Sequence, residues 1–134
     1  MEPVTIEFYH DPDLSKNKIK ATHWNKNGKS TRKQRDDAYV LAMLERPDNW
    51  ETPAKATVEI TQYHAGVPLD YEGLACVSAP GLDGMVDAGI LEDDGPKHLV
   101  GYSLRHQKVK TMDENRVRIT VTPVPADSPA IRGV

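Results

Sequence analysis

Three short runs of this chain alternate apolar and polar residues, and that period limits its fold more than any other feature. Val4, Ile6 and Phe8 interleave with Thr5, Glu7 and Tyr9; Val58 and Ile60 repeat the pattern, and Val117, Ile119 and Val121 repeat it again. A period of two sets one side of a strand in a core and the other in water. Helix-length stretches lie between the runs. Ser30 or Thr31 can cap a helix running to about Arg46, with Ala38, Tyr39, Leu41, Ala42 and Leu44 on its apolar face and Pro47 discouraging continuation. Gly28 reads as a turn before it. A second helix is expected within residues 73–87, regular from about Pro80, a residue suited to the first helical position, and closed by Gly89. Strands are expected at 56–63, 98–106 and 116–124. The order strand, helix, strand, helix, strand, strand implies a single-domain α+β fold with one mixed β-sheet and two main helices, spanning residues 1–124, followed by a tail at 125–134.

A chain of 134 residues can bury a sizeable core without covalent staples. The lone Cys76 excludes an intrachain disulfide framework and a zinc site built on several thiolates. No apolar run approaches the roughly 18 residues a membrane span needs, and the N-terminus lacks the basic-then-apolar pattern of a signal peptide. A soluble, intracellular protein without a membrane partner is the expectation.

The net charge of −3 conceals a segregation. Lys16, Lys18, Lys20, Lys26, Lys29, Arg32, Lys33 and Arg35 stand in a stretch without acids, part of a long polar arm over residues 10–35. Residues 71–96 carry Glu72, Asp83, Asp87, Glu92, Asp93 and Asp94 and no Lys or Arg. A basic arm can hold a polyanion and clustered carboxylates can hold a hard divalent cation, or the two stretches are simply two solvated faces. Asp70 and Glu72, two apart in chain expected to be extended after Pro68, would point the same way. Asp93-Asp94, in a turn entering a strand, could meet them from across the sheet. Asp83 and Asp87 read as a solvated helix face or as support for ligands. Trp24 could stack on a base or pack on the core, while His10, His64, His98, His106 and Cys76 read as structural or surface residues.

Taken as one block, Leu69-Asp70-Tyr71-Glu72-Gly73-Leu74 and the run from Leu82 through Asp83-Gly84-Met85 and Ala88-Gly89-Ile90 to Asp93-Asp94 resemble the RusA family of Holliday junction resolvases. That family's pattern is an Asp-x-Asp-Asn element, a lysine, an Asp-Ala-Leu helix and an Ala-Gly-apolar-x-x-Asp-Asp turn. The basic stretch with Thr31-Arg32-Lys33-Gln34-Arg35 and the last strands are similar too, so the resemblance reaches about Val124. It implies a bacterial, phage or prophage endodeoxyribonuclease of recombination and repair, cytoplasmic, acting as a homodimer on four-way DNA junctions with Mg²⁺ or Mn²⁺. By position, Asp70, Glu72 and Asp94 would be the catalytic metal-binding carboxylates, with Asp93 assisting. The basic residues from Lys16 to Arg35, and Lys97, would contact DNA. Glu72 stands where the family has Asp, Gly73 where it has Asn, and Ala79 where it has Lys. A protein of this fold that binds branched DNA without efficient cleavage is the alternative those departures raise.

Overall fold

A computed structural model describes residues 2–9 and 24–125. Its elements follow the order β1 (Val4–Phe8), α1 (Trp24–Glu45), β2 (Lys55–His64), α2 (Tyr71–Asp87), β3 (Leu99–Lys108), a 3₁₀ turn (Met112–Glu114) and β4 (Arg116–Val124). Among the described residues the fold is α+β, with two helices and one mixed four-stranded sheet ordered β1-β4-β2-β3. β4 runs antiparallel to both β1 and β2, and β2 and β3 are parallel. A parallel pair cannot be joined by a hairpin, and α2 is the crossover that links it.

Strand register explains the core. Val4, Val121, Val58 and Tyr102 form one row across the sheet, and Ile6, Ile119, Ile60 and Leu104 form the next. The valines and isoleucines of these rows are almost fully buried, under Leu74, Val77, Leu82 and Met85 of α2 and Ala38 and Ala42 of α1. Each fully buried Ile or Leu contributes roughly 1.5–3 kcal/mol. The third row, Phe8, Val117, Gln62 and His106, turns polar at its last two positions.

Both helices begin earlier than their sequences suggest. α1 starts at Trp24, so Gly28 lies inside it rather than in a turn, and neither Ser30 nor Thr31 is its cap. Once Ala38 and Ala42 anchor the C-terminal half, each residue added toward the N-terminus gains a hydrogen bond, and one glycine costs only about 1 kcal/mol. Residues 24–35 of the expected arm are thus helical, and Arg32, Lys33 and Arg35 stand beyond the first turns, where the helix dipole opposes them little. Residues 10–23, with Lys16, Lys18 and Lys20, and the tail from 126 onward lie outside the described residues.

α2 starts at Tyr71 and carries Pro80 inside it. Asp70 is the N-cap: its Oδ1 accepts from the Gly73 amide at 2.6 Å. A proline in a helix interior costs about 3 kcal/mol, and here the buried face on both sides of Pro80 carries the helix through. At the far end Gly89 takes a φ of +75°, which residues with a side chain adopt poorly. The last carbonyls are satisfied from the connection after α1. Arg46 donates to the Ala88 oxygen at 2.9 Å, and Trp50 and Thr52 donate to the Gly89 oxygen at 3.0 and 2.7 Å.

Candidate functional site

The crossover places the two expected carboxylate pairs at different ends of one helix. Asp70 caps the start of α2 at the C-terminal edge of the parallel strands, the position at which open α/β sheets present ligand-binding loops. Glu72 lies in the first helical turn. Both residues are exposed. Their segment is not the extended chain expected after Pro68, so the two-residue spacing does not align the carboxylates as it would in a strand.

Asp93 and Asp94 follow α2, in the exposed turn leading to β3. Asp93 accepts from the Asp94 amide at 2.8 Å. Asp94 lies near enough to Asp83 and Tyr102 to disfavour charge on both. Asp83 stands thirteen residues beyond Asp70, about 20 Å along the helix axis. Asp94 therefore sits alongside the C-terminal half of α2 while Asp70 marks its beginning. Among the described residues no three His, Cys, Asp or Glu groups come together as a metal-ligand set. The expected meeting of the two pairs across the sheet does not occur within one chain, because the length of α2 separates them.

At the C-terminal half of α2 the charges are mixed. Arg35 donates through Nε and Nη2 to both carboxylate oxygens of Asp87, at 2.7 and 2.8 Å. This two-point pairing joins α1 to α2, holds Asp87 below the usual carboxylate range and raises the guanidinium. Arg35 is thus engaged within the fold instead of being held out for a phosphate, and Lys33 pairs with Asp37 one turn along α1 at 2.8 Å. Arg32 and Lys97 are exposed.

Asp83 is pushed upward, chiefly by partial burial and further by Asp94 and Asp87, against the opposing pull of Arg35. A carboxyl whose folded pKa is raised costs stability above that pKa, and the cost vanishes once pH falls below the unfolded value near 4. Asp83→Asn is therefore expected to raise the thermal midpoint near neutral pH. The gain over wild type should shrink to nothing as the scans are taken to acid pH. An equal gain at every pH would assign the effect to packing rather than to charge.

The three described histidines each hydrogen-bond a backbone carbonyl, and His10 lies outside the described residues. His98 Nδ1 bonds the Ala54 carbonyl at 3.0 Å, His64 Nδ1 the Gly66 carbonyl at 2.8 Å and His106 Nε2 the Leu69 carbonyl at 2.7 Å. Sequence reasoning missed the position of His106 and Gln62 beside the start of α2. Their only sequence signal was polar residues at strand positions whose period requires apolar ones. No helix among the described residues is long and apolar enough to cross a membrane. No protein-family model matches the chain, and no curated protein matches it closely enough to count as a relative.

Proposed function

We propose that the chain is a divalent-metal-dependent endodeoxyribonuclease of the RusA type, acting on branched DNA as a homodimer. The observation that carries this reading is Asp70: an exposed carboxylate fixed at the βα junction, with one oxygen held by the helix it caps. Mg²⁺ commonly takes only one or two protein carboxylates and fills its remaining positions with water and substrate phosphate. Asp70 with Glu72 matches that donor chemistry at the start of α2, and Asp94 with Asp93 offers a second carboxylate pair beyond its end. A bound cation would supply charge neutralisation at the scissile phosphate and a more acidic water. The protein's own part is to orient those carboxylates and to draw the DNA to them. Two nicks in a four-way junction require two such sites, which a two-fold dimer provides. Lysines of residues 10–29, with Arg32 and Lys97, would supply phosphate contacts and hence a salt-dependent affinity.

The separation of Asp94 from Asp70 favours a second reading, in which the protein binds branched DNA and cuts it poorly. Labelled four-way junction and matched linear duplex, each with Mg²⁺, Mn²⁺ or EDTA, distinguish the two. Paired, metal-dependent nicks on the junction alone are the expected result. Tight, salt-sensitive junction binding without nicks would establish the second reading, and no DNA binding would overturn both.

Ala79 adds a sharper test. It is exposed on α2, so a lysine there costs the fold little. Ala79→Lys is expected to raise the single-turnover nicking rate by roughly tenfold or more if that position faces the scissile phosphate. An unchanged rate would place position 79 away from the reacting phosphate.

A further inference from the structure

α1 faces the wrong way for a helix held only by its own core. It buries its smallest apolar side chains, Ala38 and Ala42, at 2% and 0% exposure, and leaves its largest outside. Among the described residues eight large hydrophobic side chains are exposed, and four of them, Tyr39, Val40, Met43 and Leu44, fall within six residues of α1. A surface helix ordinarily turns such residues toward the core. Single exposed apolar residues are common, but four neighbours make a patch on the order of a few hundred Å², a size that marks an interaction site on a monomer.

The surroundings of the patch indicate its occupant. Residues three and four apart stack on a helix. The outward face is therefore two adjacent rows, Lys33-Asp37-Val40-Leu44 and Arg32-Asp36-Tyr39-Met43, and every side chain in them is exposed. Each row begins with a cation and ends apolar. Past the patch the charge is acidic. Glu45, Asp48 and Glu51 are exposed around the end of α1, where the helix dipole is also negative. Arg46, the only cation of residues 44–54, donates instead to the Ala88 oxygen. A hollow of about 330 Å³, lined by Glu2, Pro47, Asn49 and Trp50, adjoins that end.

We propose that this face of α1 is where a second copy of the chain docks, the two helices lying antiparallel about a two-fold axis through the apolar patch. A two-fold contact sets a surface on itself, so its centre must be self-complementary, as an apolar patch is. Antiparallel placement carries the cations at one end of each patch toward the acids and the hollow at the other end of the partner's. Parallel placement would set Arg32 on Arg32 and Asp36 on Asp36, like charge on like charge. An Arg32 held in this way leaves phosphate contact to the other basic residues. The inference rests on the homodimer of the reading above and names its contact, but it needs neither DNA nor metal.

The test is the mass of the full chain in solution, by sedimentation equilibrium without DNA or added metal, with folding followed by circular dichroism and thermal melting. Wild type is expected to approach twice 14.9 kDa at micromolar concentration and to dissociate on dilution. Leu44→Lys, and separately Val40→Lys, put a charge into the patch and should raise the dissociation constant about a hundredfold with the helical signal unchanged. Arg32→Glu and Asp48→Arg should each weaken the dimer about fivefold, because two-fold symmetry repeats every pair. Combined in one chain they should recover association to within about threefold of wild type. If the lysine variants do not fold, the charge reversals, which lie outside the patch, decide the question. A dimer that survives Leu44→Lys and Val40→Lys would overturn this face and leave the homodimer standing on some other contact. A chain that stays monomeric at every concentration would overturn both. A monomer that melts earlier in Leu44→Lys would show the patch covered by the chain's own residues and equally overturn the contact. Loss in both charge reversals without recovery in their combination would overturn the antiparallel placement.

Discussion

Gly84→Ala is expected to destabilise the protein by on the order of 3 kcal/mol, a fall of roughly 10 °C in the thermal midpoint. A methyl group at residue 84 would lie 2.6 Å from the Arg35 carbonyl oxygen, 2.7 Å from the Ala38 Cβ and 2.8 Å from the Tyr39 amide nitrogen. Two of those three atoms are backbone in the middle of α1, so relief requires moving one helix away from the other. That movement would also stretch the two-point Arg35–Asp87 pairing that joins them. Helix propensity favours alanine by about 1 kcal/mol, which the clash exceeds. Gly81→Ala provides the contrast. Its added methyl would meet the Ile119 Cδ1 at 2.8 Å and the Phe8 Cε1 at 2.9 Å. Both are ends of side chains, and Phe8 is only half-buried near the sheet edge. Repacking there costs about 1 kcal/mol, close to the propensity gain, so the net change should be small. Urea titrations of the two variants check the pair. Equal losses would show that the helix crossing is no tighter than the helix–sheet contact.

The alternating runs made the strands legible. Val4, Ile6, Val117, Ile119 and Val121 are buried as their period requires, and β4 begins and ends where the sequence places it. The mixed sheet followed from the order of elements, since a strand, a helix and another strand imply a parallel pair. Helix starts were less legible, because the deciding forces lie outside the helix. Pro80 reads as a beginning by its own chemistry, yet the cap that starts α2 is Asp70, ten residues earlier, and burial of Leu74 and Val77 carries the helix across the proline. The candidate site suffered from the same error. With Asp70 and Glu72 assigned to extended chain, the length of a full crossover helix between them and Asp94 went uncounted. Arg35 shows a related limit, as its charge alone suggests an anion outside the protein, and only the helix crossing supplies Asp87 as its partner.

Asp70→Asn separates the chemistry proposed for the start of α2 from the architecture that supports it. Asparagine is as good an N-cap as aspartate, because its side-chain oxygen can accept the same Gly73 amide. The fold and the exposed basic residues should therefore survive the change. What disappears is one negative charge and its preference for a hard cation. If Asp70 holds the metal, the cation's stabilisation of the phosphate, worth several kcal/mol, is largely lost, and junction cleavage should fall a hundredfold or more. Junction affinity measured in EDTA should stay within about threefold of wild type, since phosphate contacts by lysine and arginine carry it. Raising Mn²⁺ to millimolar levels should restore part of the rate, as a weakened site fills by mass action. Cleavage and affinity falling together would mean that Asp70 serves the DNA-binding conformation rather than the metal. Cleavage that persists in Asp70→Asn and is lost in Asp94→Asn would move the working site to the other end of α2.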